Sequence, residues 1–152
     1  MSNFSQVREL LQHNQQLHAR ASTFYQDLAF QADNERVKML LATLAKHEAE
    51  LCTSMLGYIQ KAPAKILNTY FQFDHEHGVD DLFANKFVTR SITSSQVEAI
   101  ATDLDNYFCD LYQEMVDAVD CQQVQELFEH LHLHMIEEKK RLSIDIYSML
   151  DM

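Results

Sequence analysis

The chain has 152 residues, enough for one domain with a real core and too few for two ordinary ones. Hydrophobic residues make up 47%, which excludes intrinsic disorder, and 2 glycines and 1 proline are too few turn residues for a β-rich or α/β fold. A net charge of -11 argues against nucleic-acid binding, which needs clustered lysine and arginine, and suits attraction of cations.

The chain opens on "MSNFSQVREL", which lacks the basic start and apolar centre of a signal peptide. From there a first helix is expected over 4–32, with Val7, Leu10, Leu11, Leu17, Ala21, Phe24, Leu28 and Ala32 on one side. "ADNE" interrupts it and offers Asp33 or Asn34 as the cap of a second helix over 35–60. That helix carries Val37, Leu41, Leu44, Leu51, Met55 and Tyr58 at helical spacing, with Glu48 in the middle of the same stripe. A carboxylate buried there without a partner would cost several kcal/mol.

Residues 61–94 form the one long connection and hold the proline, a glycine and several aromatics. The segment is long enough to cross from one end of a helical bundle to the other, with a helical turn or two packed on the way. A third helix is expected from "SSQVEAI", where Ser95 and Glu98 fit a capping box, with Val97, Ala101, Leu104, Phe108, Leu111, Met115 and Ala118 on its apolar side. Asp120 marks the next break. The fourth helix shows Val124, Leu127, Phe128, Leu131, Met135, Leu142, Ile146 and Met149 at helical spacing. The expected organisation is a single all-α domain over 1–152: an antiparallel hairpin at 4–60, a crossover at 61–94 and a second hairpin at 95–150. The two hairpins echo each other at an offset of 87 residues, with Tyr25 matching Tyr112, Val37 matching Val124, Leu44 matching Leu131 and His47 matching His134.

No apolar run approaches the roughly 18 residues of a membrane span. The 3 cysteines, Cys52, Cys109 and Cys121, have no CxxC spacing and read as reduced thiols of a cytoplasmic protein, the first two as small core residues.

Counting along the hairpins sharpens the question of Glu48. It lies fifteen residues after Asp33, and fifteen before Asp33 is His18. In the second hairpin, fifteen residues before Asp120 is Asp105, and Glu138 continues the seam of the fourth helix. Each helix thus has one ionisable group near its middle, at or beside the core: His18, Glu48, Asp105 and Glu138. Carboxylates and imidazole converging between helices are a ligand set for Fe or Mn. The alternative is a structural polar network in which His18 or Arg141 pairs with the carboxylates.

His47 and His134 flank the seams and read as partly exposed. Either could supply a further imidazole, and His134 shares a helix face with Glu138. His130 and His134, as an i, i+4 pair, could bind Zn or Ni with Glu126 or Glu137, the ordinary alternative being a solvated face. The "FDHEHGVDD" loop, with Asp74, His75, Glu76, His77, Asp80 and Asp81, matches no defined motif and reads as a solvated acidic loop. Tyr25 and Tyr112 could bond the core carboxylates or simply fill the core. Nothing in the sequence points to nucleophilic catalysis or to a phosphate-binding loop.

With two hairpins, a long crossover and inward carboxylates, the chain resembles the ferritin-like superfamily, most nearly its rubrerythrin-type branch. The resemblance implies a metal-binding Glu seven residues before a Tyr on the first helix of each hairpin, and Glu-x-x-His on the second. Here His18 precedes Tyr25, Asp105 precedes Tyr112, and Glu48 is followed by Leu51 where the His would stand. On the fourth helix the ungapped match puts Met135 at the Glu and Glu138 at the His, and a shift of one turn puts Glu138 and Arg141 there. What it implies is a variant or vestigial Fe or Mn centre built on His18, Glu48, Asp105, Glu138 and His134, with oxygen, peroxide or metal-ion handling as the associated chemistry. A non-enzymatic helical interaction module is the alternative. A homodimer fits either, since such helical proteins often bury an outer face.

Overall fold

The computed structural model describes residues 4–72, 83 and 91–150, and of residues 4, 5, 71, 72, 149 and 150 the backbone alone. The fold is all-α apart from one small strand pair. In chain order it comprises β1 (Phe4–Gln6), α1 (Val7–Gln31), α2 (Glu35–Lys61), α3 (Ala64–Leu67), β2 (Tyr70–Gln72), α4 (Ser94–Ala118) and α5 (Gln122–Leu150). Among the described residues, no helix is long and apolar enough to cross a membrane. The acidic loop at 74–81 lies outside the described residues.

The first helix begins at Val7 and not at residue 4. Residues 4–6 instead pair antiparallel with β2 in the register Phe4↔Gln72, Ser5↔Phe71 and Gln6↔Tyr70. The Val7 N–H continues that contact by donating to the Thr69 carbonyl at 3.0 Å. This spends one of the unpaired donors at the start of α1 on a strand-side carbonyl rather than on a side-chain cap. Pro63 precedes the single turn of α3, whose Leu67 returns the chain to the core.

α1 and α2 form one tight antiparallel hairpin and α4 and α5 the other. The α1–α2 connection is three residues long, and of its two candidate caps Asn34 does the work: its side chain accepts from the Val37 N–H at 3.2 Å. The cap of α4 is Thr93, not Ser95. Thr93 Oγ1 accepts from the Gln96 N–H, and the Gln96 side chain accepts from the Thr93 N–H at 2.9 Å, a complete capping box two residues earlier than the Ser95–Glu98 reading.

The four long helices share two apolar clusters. One gathers Val7, Leu11, Leu51, Met55, Phe108, Met115, Phe128 and Met135 among others. The second gathers Tyr25, Leu28, Leu41, Leu44, Val97, Leu104 and Leu142. Each helix passes from one cluster to the other within a few residues of its polar group. In α1 the change falls between Leu17 and Tyr25, around His18, and in α2 between Ala45 and Leu51, around Glu48. In α4 it falls between Leu104 and Phe108, at Asp105, and in α5 between Met135 and Leu142, around Glu138. A polar level therefore divides the apolar core in two.

The candidate polar centre

His18 comes from the middle of α1, where Leu17 and Ala21 anchor the helix face on which it sits. Glu48 comes from the corresponding level of α2. Their side chains are 1% and 2% exposed, and His18 Nδ1 lies 2.7 Å from Glu48 Oε2. A charge-assisted hydrogen bond of this length, out of water, is among the strong ones. With the Nδ1–H donated to the carboxylate, the other ring nitrogen is left toward α4, where Nε2 stands 3.3 Å from the Tyr112 hydroxyl. The ring is clamped by stacking on Phe108, centroid to centroid 3.9 Å with 14° between planes.

Asp105 is buried on α4 close enough to feel Glu48. Burial, then repulsion from Glu48, push its carboxyl up to about 7, with Lys139 pulling the other way. Tyr25 and Tyr112, matched by the internal echo, are both wholly buried. Burial first, then the Glu48 charge, raise both phenols well above the ordinary range, with Asp105 adding to the effect on Tyr25. Both are neutral hydroxyls at any ordinary pH.

Glu138 stands apart from this group. It is 17% exposed and sits between His47 Nδ1 at 3.7 Å, His134 Nε2 at 3.7 Å and Arg141 Nη1 at 3.5 Å. Arg141 does not enter the core: it is 64% exposed and also reaches Glu50 at 4.0 Å. His47 departs from the sequence expectation, being buried instead of partly exposed, and its Nε2 makes no hydrogen bond. Burial, the dominant effect, lowers its pKa, against opposing pulls from Glu48 and Glu138. His134 is partly exposed as expected, and His130 meets Tyr58 edge-on with centroids 5.7 Å apart. Cys52 and Cys109 are free and only half-buried, a shallower position than the core reading gave them.

Two polar residues of the centre were not anticipated. Asn14 is fully buried, its amide donating to Met115 Sδ at 3.4 Å while its Oδ1 makes no hydrogen bond. Ser22 is buried and donates to the Ala45 carbonyl at 2.8 Å. The signal was present: positions 14, 18 and 22 are spaced by four and so share one helix face.

The five residues read as metal ligands thus divide. His18 and Glu48 bond each other directly, Asp105 faces Glu48 as a repelling neighbour, and Glu138 and His134 belong to a separate cluster nearer the surface. Among the described residues, no group of three or more His, Cys, Asp or Glu side chains is disposed to hold a metal ion. As arranged, these side chains do not fit a dinuclear Fe or Mn centre. Leu51 packs in the core where an imidazole would be needed, and the guanidinium beside Glu138 competes with a cation. No family model matches the chain, and no curated protein or solved structure matches it either.

Proposed function

We propose that this chain is a helical interaction module in which the buried charges are structural. The observation that carries this reading is the 2.7 Å contact between His18 and Glu48, which gives each buried group a protein partner. A satisfied buried pair fixes helix register, because sliding one helix by a turn would strand both groups in apolar surroundings. The connectivity we propose is ferritin-like: two hairpins packed as a four-helix bundle with 61–94 as the crossover. For a partner, the module offers Phe30, Ile144 and Tyr147, at 89%, 67% and 76% exposed. A second copy of the chain is one such partner.

A second reading, a variant Fe or Mn centre, draws on one observation, the mutual repulsion of the buried Glu48 and Asp105 carboxylates. A divalent cation would relieve that repulsion. Metal analysis of protein purified without chelator, together with melting curves in Fe(II) and Mn(II), separates the two. The structural reading expects no stoichiometric metal and no rise in melting temperature. A bound ion that disappears in the Glu48→Ala/Glu138→Ala double variant would establish the metal reading instead, because a ligand of the folded state must stabilise it.

A further inference from the structure

Between α2 and α5 lies an open groove of about 510 Å³, walled by Lys46 and Glu50 on one side and Glu138 and Arg141 on the other. Behind it is a small chamber of about 10 Å³ that reaches His18 and Tyr112. Leu51, Ser54 and His134 line both spaces. A space of the chamber's size is at the lower bound for holding one water molecule. A water at such a site also needs two to four polar partners, and His18, Tyr112, Ser54, Tyr58 and His134 all line the wall.

The contact on the inner side of the chamber points the same way. The 3.3 Å separation of His18 Nε2 and Tyr112 Oη lies just beyond the usual nitrogen–oxygen range of about 2.7–3.2 Å. His18 Nε2 therefore keeps capacity for a closer partner, while the Tyr112 hydroxyl is also bonded by the Asn14 side chain. The aliphatic remainder of the wall, Leu51, Met55, Leu131 and Met135, confines that partner to the polar side.

We propose that the groove and chamber form one passage that admits a single water molecule to His18 and Tyr112, with Leu51, Ser54 and His134 as its neck. The occupant is a neutral hydrogen-bonding molecule of water's size, and nothing larger passes. Such a site gives the buried His18–Glu48 pair a route for proton exchange with solvent that does not require the helices to separate. It rests on cavity geometry alone, so a finding that metal binds elsewhere in the core would leave it standing.

The test is the nuclear Overhauser effect between water and the carbon-bound ring protons of His18 and Tyr112, recorded on the full labelled chain. The wild type is expected to show water cross-peaks at both rings. In Ser54→Leu, which fills the neck from an exposed position, they are expected to be lost while amide resonances away from 51–58 and 131–135 stay in place. Leu51→Ala, widening the neck, keeps them. Absence of cross-peaks in the wild type, where no question of folding arises, would overturn the proposal. Cross-peaks unchanged in Ser54→Leu would overturn it too, by showing that water arrives another way.

Discussion

His18 on α1 and Glu48 on α2 meet at 2.7 Å with almost no exposure to solvent, and the imidazole is held flat against Phe108 on α4. Three helices are thereby joined at one point. Removing one partner leaves the other buried without compensation, which for a charged group costs about 3–5 kcal/mol. The stacked ring and the Tyr112 hydroxyl restrict where His18 can go in response, so little of that loss can be relaxed away.

Asp105 sets a pH dependence of unusual sign. Its carboxyl is raised from 3.8 to about 7 in the folded chain. Between those values the folded state binds a proton that the unfolded state does not, so this group's stabilisation is complete at low pH and lost as pH rises toward 7. At 1.36 kcal/mol per pKa unit, the loss is on the order of 4 kcal/mol. Urea unfolding from pH 4 to 8 should show it as a decline that levels off above 7. Asp105→Asn, neutral throughout, should flatten that part of the profile.

His47 acts in the opposite direction. Its folded pKa is lowered, chiefly by burial, so it contributes stability above the ordinary histidine value of 6.5 that is lost as pH falls below it. The orphaned Nε2 should make the residue expendable at neutral pH. Leaving a buried polar atom unpaired costs about 1–3 kcal/mol. His47→Leu is therefore expected to leave stability unchanged or raise it by about 1 kcal/mol at pH 7, within that range. The variant should also lose less stability than wild type between pH 6.5 and 5, measured by the same unfolding curves.

At the start of α4, Thr93→Ala should cost about 0.5–2 kcal/mol, the usual loss for a side-chain cap. Ser95→Ala, at the second residue of the helix, should cost almost nothing, because the capping box is closed by Thr93 and Gln96. Comparing the two melting temperatures decides the placement of the helix start.

Arg141→Ala tests whether the exposed end of the Glu138 cluster matters. The guanidinium lies in solvent, 3.5 Å from Glu138 and 4.0 Å from Glu50. Pairs of this kind contribute about 0–1 kcal/mol, so the unfolding midpoint should barely move.

Helix positions were legible because apolar residues recur in steps of three and four, and burial follows those steps in all four long helices. The count outward from Asp33 that put His18 level with Glu48 corresponds to their direct contact. The β1–β2 pair was not legible, since three-residue strands carry too little alternation to be distinguished from the ends of a helix. The α4 cap was misplaced because Thr93, Ser94 and Ser95 all offer a hydroxyl, and the choice depends on which residue leaves helical backbone geometry. His47 read as a flanking residue because a stripe was inferred, whereas α2 buries a broader face that includes Leu40, Ala45 and His47. Glu138 shared a level with the other three groups, but level alone does not fix direction: on α5 its carboxylate meets His47, His134 and Arg141 and not the His18–Glu48 pair.

The most direct measurement is a double-mutant cycle on His18 and Glu48 in metal-free protein at pH 7, read by urea unfolding. If the pair is satisfied, His18→Ala and Glu48→Ala each destabilise by about 3–5 kcal/mol, and the double variant loses clearly less than their sum. A Glu48→Ala chain more stable than wild type, or single losses that simply add, would contradict the account and mark Glu48 as a charge awaiting a ligand.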